Sequence, residues 1–148
     1  MIALDQLSKY WTVIKLRSGE TLRLPGPLDL TLTFNQSNAF GLVPVAGGVT
    51  RWGLIAFNLS VAVVLAFVLW RRRLSLLRLA GFAFILAGAL GNALDRFRLG
   101  AVIDMLDARK IGFPWVFNGA DAAVDLGLAA LLLSALLEVK VSPDPNPR

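Results

Sequence analysis

The chain has 148 residues, 56% of them hydrophobic, with a mean hydropathy of +0.65 and a formal net charge of +5. Soluble domains run nearer about 45–50% apolar. The excess here lies in long runs, which points to a single integral membrane unit rather than a soluble globule. The sequence holds no cysteine and no histidine. That excludes disulfides, thiol nucleophiles, Ser-His-Asp and Cys-His catalysis, and histidine-ligated zinc; a catalyst built from this chain uses carboxylates, Lys, Ser, Tyr or backbone.

Residues 1–16 (M-I-A-L-D-Q-L-S-K-Y-W-T-V-I-K-L) are helical in pattern but carry Asp5, Lys9 and Lys15. A full span needs about 20 mostly apolar residues. The stretch therefore reads as the outer end of a transmembrane helix whose inner half is missing or very short, and Met1 to Leu4 is too short for the apolar region of a cleavable signal peptide. Asp5 and Lys9 stand at i,i+4, share a face and can pair. The pair either makes two buried charges tolerable or serves a site, the default for ionisable groups near hydrocarbon.

Leu28, Leu30, Leu32 and Phe34 alternate with Asp29, Thr31, Thr33 and Asn35, the period of a half-buried strand. Thr21 to Leu24 is its expected partner through the Pro25-Gly26-Pro27 turn. The pattern predicts a small sheet outside the hydrocarbon, within residues 19–50, with Asn35 to Gly41 leading into a Gly/Pro loop. Trp52 to Trp70 is long enough to span, with Trp at each end suited to an aromatic belt. Arg71, Arg72, Arg73 and Arg78 crowd the next loop and predict the cytoplasmic side. Topology thus accounts for the basic balance, and nucleic acid is not an expected partner.

Leu79 to Leu94 crosses back. Its Gly81, Ala83, Ala87, Gly88, Ala89 and Gly91 suit close helix packing, and it delivers Asn92, Asp95 and Arg96 to its outer end. Gly100 to Lys110 reads as a short amphipathic helix along the outer interface, with Asp104 and Asp107 sharing an i,i+3 edge. Ala120 to Val139 forms the last span, with Asn118 and Asp121 at its outer start. Lys140 and the Pro-rich tail return inside and are expected to be disordered. Residues 1–139 make one domain, 140–148 a cytoplasmic tail, and no internal repeat is visible.

This topology brings Asn92, Asp95, Arg96, Asn118 and Asp121 to one depth on one side, with Asp104 in the connection between them. Two aspartates in a poorly solvated site share a proton, so one can act as base toward water while the other acts as acid toward an amide. The arrangement suggests a membrane-embedded aspartic peptidase. Spacing alone leaves the choice open among Asp95, Asp104, Asp107, Asp121 and Asp125. Asp95 reads as an ion-pair partner of Arg96, and Asp107 as a solvated carboxylate beside Arg109 and Lys110. Asp125 reads as a second buried carboxylate or a partner for a lysine. Helix capping by Asn118 and Asp121 is the structural alternative.

Five blocks together resemble the lipoprotein signal peptidases, the prolipoprotein-cleaving aspartic peptidases of bacteria: D-Q-L-S-K-Y (5–10), N-Q-S-N-A-F (35–40), G-A-L-G-N-A-L-D-R (88–96), G-A-V-I-D-M-L-D (100–107) and F-N-G-A-D (117–121). The resemblance implies an all-α membrane protein: a four-transmembrane-helix bundle with a small extracytoplasmic β-sheet and a short interfacial helix. It implies Asp104 and Asp121 as the catalytic pair. Asn92, Arg96 and Asn118 would lie around the substrate, supported by Asn35, Asp5 and Lys9, with no metal and no cofactor. Its implied partners are diacylglyceryl-modified prolipoproteins, cut on the amino side of the lipidated cysteine, and membrane lipids. A monomer in the bacterial inner membrane, with its site toward the extracytoplasmic side, is expected. Ser37 stands where the family usually has Gly, and Asn38 replaces a small residue; a Ser is costly if that position needs a positive φ. The rivals are an inactive homologue that binds lipidated peptides, a small transporter with an aspartate proton relay, and a peptidase pairing Ser8 or Ser37 with Lys9. A reporter fused after Arg73 is expected to read cytoplasmic and one near Lys110 to read outside; the reverse pattern would dissolve the shared-depth arrangement.

Overall fold

In the computed structural model the structure describes residues 1–36 and 47–141. The expectations for Ser37, Asn38 and the tail beyond residue 141 lie outside the described residues. Four helices, α1 (Ile2–Lys15), α2 (Gly47–Arg71), α3 (Leu76–Leu99) and α4 (Gly119–Val141), carry a sheet of four strands, β1 (Thr21–Leu22), β2 (Asp29–Asn35), β3 (Val102–Asp107) and β4 (Val116–Phe117). Among the described residues three helices are long and apolar enough to cross a membrane: Gly48–Arg71, Leu76–Leu99 and Gly119–Glu138. The chain is a multi-pass membrane protein.

At 14 residues, α1 covers about 21 Å against a hydrocarbon layer of about 30 Å. Its faces are nevertheless those of a membrane helix. Asp5, Lys9 and Thr12 are buried, while Leu4, Leu7, Tyr10 and Ile14 are at least 60% exposed. In water such a helix would turn over; in lipid the exposed apolar side costs nothing and the polar side must face protein.

α3 and α4 approach closely where side chains vanish. A Cβ on Gly127 would come within 2.6 Å of the Gly81 carbonyl and of Ile85 Cγ1. This is the small-residue contact that lets two membrane helices touch backbone to backbone. α3 starts at Ser75, whose hydroxyl caps Arg78 N, and ends at Gly100 in the left-handed conformation at φ 77°. At the far end Arg78 is ion-paired with Glu138 of α4.

The sheet is antiparallel throughout, in the order β1-β2-β3-β4. Here the structure corrects the expected interfacial helix: residues 102–107 are strand β3, followed by a 3-10 turn at Arg109–Ile111. Val-Ile-Asp-Met-Leu-Asp is too short to hold a helix by itself. It begins with two β-branched residues, and it meets the open edge of β2 as soon as Gly100 has turned the chain. Period two puts Ile103 and Met105 on one face, where they join Leu16 and Leu32 in the small apolar core, and Asp104 on the other.

A second departure lies in β2. Its pairing with β3 slips by one between Leu30 and Thr33: Leu30 faces Leu106, but Thr33 faces Asp104 and Asn35 faces Val102. Strict alternation would have kept Phe34 on the face of Leu30. The extra residue flips the parity, so Asn35, opposite Val102, comes to the Asp104 face and Phe34 comes opposite Ile103.

The strand also separates Asp104 from Asp107, since residues three apart point to opposite faces. Asp107 is not the solvated carboxylate expected from its neighbours. It is 3% exposed and accepts hydrogen bonds from Thr31 Oγ1 at 2.7 Å and from the backbone N of Arg109 at 3.0 Å, alongside the Arg109 guanidinium. Thr31 Oγ1 in turn lies 2.8 Å from Thr21 Oγ1 on β1. The Arg109 guanidinium holds the Asp107 carboxyl well below its usual value of 3.8, with Thr31 adding to the effect. A depressed carboxylate contributes stability above its unfolded pKa and loses it on acidification. Asp107→Asn should therefore lower stability at neutral pH by about 1–2 kcal/mol, at the low end for a charged hydrogen bond because Arg109 is solvent-exposed. It should also flatten the acid loss below 3.8; thermal melts across pH measure both.

Candidate active site

α1 plugs the junction of α3 and α4 with Lys9. Its ammonium reaches Asp5 Oδ2 at 2.8 Å, Asp95 Oδ2 at 2.7 Å and Asn92 Oδ1 at 3.2 Å. Those three acceptors match the three donors of a lysine. The side chain is 1% exposed. The expected Asp5–Lys9 pair is present. Asp95, expected to pair with Arg96, instead takes Lys9 on one oxygen and Gln6 Nε2 at 2.8 Å on the other.

The other oxygen of Asp5 accepts the backbone N of Ala120 at 2.9 Å. Two glycines leave room for this carboxylate: a Cβ would lie 2.9 Å from Asp5 Oδ2 at Gly91 and 3.3 Å from Oδ1 at Gly119. The Asp-x-x-x-Lys, Gly-Asn and Asn-Gly-Ala-Asp segments are thus parts of one joint.

At the start of α4, Asn118 Oδ1 accepts the backbone N of Asp121 at 3.0 Å, and the backbone N of Asn118 donates to Asp121 Oδ2 at 3.3 Å. This is a reciprocal cap of the capping-box kind. The capping fixes which way the Asn118 amide points, and its Nδ2 donates to Asp104 Oδ1 at 2.6 Å. Asn35 Nδ2 donates to the second oxygen of Asp104 at 2.9 Å. Asn92, oriented by Lys9, donates through Nδ2 to Asp121 Oδ1 at 2.8 Å. The two aspartates therefore share Asn118 as a common neighbour, each with a further asparagine from another element. Arg96, 7% exposed, stands within electrostatic reach of Asp121, Asp104 and Asp95.

A family model described as signal peptidase (SPase) II matches residues 1–137. The chain belongs to the signal peptidase II family. It is 43% identical over 145 residues to a lipoprotein signal peptidase of Gloeobacter violaceus, covering 97% of this chain and 82% of that protein. It is 40% identical over 140 residues to one of Caulobacter vibrioides, covering 92% and 82%. The fold is similar to that of a bacterial membrane enzyme solved by the in meso method at 2.3 Å, with a TM-score of 0.83, 23% identity and coverage of 99% and 88%.

In this signal peptidase II family chain the structure gathers Asp5, Lys9, Asn35, Asn92, Arg96, Asp104, Asn118 and Asp121 at one end of the bundle. Asp107 is turned away by strand parity, and Asp125, read as either a second buried carboxylate or a partner for a lysine, is exposed on α4. Sequence reading missed Gln6 and Asp95 as members of the Lys9 cluster. The available signal was helical spacing: Asp95 lies one turn from Asn92 and Gly91. It also missed Thr12, whose hydroxyl donates to Met105 S at 3.1 Å and joins α1 to β3.

Burial raises the Asp104 carboxyl from 3.8 to about 6; the Asn35 hydrogen bond opposes this and the neighbouring Asp121 charge adds to it. Its contribution to stability is therefore complete below 3.8 and is lost as pH rises through about 6. Removing Lys9 has a larger consequence, because Asp5 and Asp95 are left buried without their cation. Lys9→Met is expected to destabilise the protein by about 3–5 kcal/mol, read as a fall in Tm, whereas Asp95→Asn with Lys9 intact should fall less.

Proposed function

We propose that residues 1–139 form an aspartic endopeptidase that removes the signal peptide from diacylglyceryl-modified prolipoproteins, on the amino side of the lipidated cysteine. The observation that carries this is the Asp104–Asn118–Asp121 constellation, with one carboxyl held high in its titration range. The proposal includes a four-helix bundle in the bacterial inner membrane, with α1 as the fourth helix and the site toward the extracytoplasmic side. The arginine-rich loop between α2 and α3, opposite the sheet, supports that orientation. Lipidated precursors and membrane lipids are the partners, and the monomer is the working unit.

Asp104 and Asp121 hold one proton between them when substrate displaces water from the site, because loss of solvation favours the neutral form. The ionised carboxyl takes a proton from a water as its oxygen attacks the scissile carbonyl carbon. The protonated carboxyl gives its proton to the substrate, and the C–N bond breaks with that proton on the leaving amine. One proton has been taken and one given, so the pair ends with a single proton as it began. Asn35, Asn92 and Asn118 orient the two carboxyls, and Arg96 supplies the nearby positive charge. The Ser8–Lys9 alternative has little support: Ser8 Oγ donates to the Asp5 carbonyl at 2.8 Å, and Lys9 is fully engaged.

Asp104→Asn and Asp121→Asn should each abolish cleavage of a lipidated precursor with the fold retained, and the double change should be little worse because the pair works as a unit. Cleavage at the wild-type rate by either variant would end the aspartic reading. The kcat/KM profile should have an alkaline limb belonging to the pair, at or above about 6. Asn35 stabilises the ionised form of Asp104, so Asn35→Ala should move that limb to higher pH.

A further inference from the structure

Arg51 in α2 reaches across to the end of α3. Its Nε donates to the Arg96 carbonyl at 2.8 Å and its Nη2 to the Phe97 carbonyl at 2.6 Å. Both carbonyls belong to the last turn of α3, where a cation is favoured; the Arg96 carbonyl also accepts the capping N–H of Gly100 at 3.0 Å. The next residue, Trp52, packs edge-to-face on Phe97 with ring centroids 6.4 Å apart, and the Arg51 guanidinium lies 5.4 Å from the Trp52 ring centre. Gly100, whose φ of +77° ends the helix, lies beside this contact: a Cβ there would sit 3.5 Å from Arg51 Nη1, in ordinary contact. α2 is the least buried of the three spans, so this clamp is a specific polar tether on an otherwise lipid-facing helix.

The residue whose carbonyl is clamped is the one whose guanidinium faces the carboxyl pair. We propose that Arg51 is a positioning residue: by fastening the backbone of Arg96 and Phe97 it holds the Arg96 guanidinium in register with Asp104 and Asp121. The inference rests on the aspartic reading. Around the pair the charged groups are Asp5 and Lys9 from α1, Asp95 and Arg96 from α3, and Asp125 one turn along α4 from Asp121. Among the described residues Arg51 is the α2 residue that ties this set to α2. Without it the last turn of α3 keeps its Gly100 cap but loses its tie to α2, and Arg96 drifts. A carboxyl pair that loses a nearby cation keeps its proton to higher pH, and a misplaced charge slows the chemical step.

The test uses the full chain in lipid vesicles with a diacylglyceryl-modified precursor. Wild-type cleavage and its loss in Asp104→Asn secure the underlying reading first; their failure overturns that reading and with it the inference. Arg51→Ala should then lower kcat by about 10- to 100-fold with KM little changed, and move the alkaline limb upward. Arg51→Lys, a cation without the planar fork, should restore part of both. Adding Arg96→Gln to Arg51→Ala should cost little more, since both changes remove the same charge from the pair. Trp52→Ala, which loosens the same helix junction without touching the carbonyls, should lower Tm and leave the pH profile in place. The inference is overturned if Arg51→Ala keeps the wild-type kcat and limb, if it moves Tm alone as Trp52→Ala does, or if its loss multiplies in full with that of Arg96→Gln. Should Arg51→Ala not fold, Arg51→Lys decides: an unshifted limb at wild-type kcat overturns it.

Discussion

The structure depends on where one ammonium group goes. Lys9 lies in the joint between α1, α3 and α4, with a carboxylate from its own helix, a carboxylate from α3 and the amide oxygen of Asn92 as its acceptors. A buried ion pair adds little net stability relative to apolar residues of the same size; it penalises every arrangement that leaves a charge alone. Here the penalised arrangements are rotations and slips of α1 against α3, and the one that remains carries Asp5 to the start of α4.

From that point the site is assembled by shared partners. Asp5 accepts an amide of the first turn of α4, and Asn118 and Asp121 cap each other in the same turn. The N-terminus of a helix carries unpaired N–H groups and a partial positive charge, so carboxylates are held there at low cost. Asn118 then has an amide left for Asp104, and Asn92, oriented by Lys9, has one for Asp121. Each asparagine serves one structural and one site-facing bond. The helix cap and the bonds to Asp104 and Asn92 are therefore made by Asn118 and Asp121 in one arrangement.

Sheet and helices contribute differently. The helices fix depth, because a polar face cannot leave the bundle for lipid. The sheet fixes direction: β3 aims Asp104 at α4 and Asp107 away from it, and the irregularity in β2 turns Asn35 toward Asp104. The Thr21–Thr31–Asp107–Arg109 series on the opposite face ties the strands together where the apolar core is only a handful of residues.

The sequence by itself determined the membrane class, the three long spans, the hairpin of β1 and β2 and the gathering of polar residues at one end. Each follows from local composition and period: length of apolar run, arginine count in a loop, alternation, and i,i+4 spacing. It also carried the family resemblance, and through it the roles expected of Asp104 and Asp121. Three features were decided only by tertiary structure. Residues 102–107 took the strand form because β2 offered an edge, although Asp104 and Asp107 also suit one edge of a helix. Asn35 reached Asp104 through a one-residue slip that alternation cannot reveal, since the slip is set by pairing between strands distant in sequence. Asp95 went to Lys9 rather than to the adjacent Arg96, because neighbours along a helix point to different faces while α1 arrives from 86 residues away to fill the gap left by Gly91.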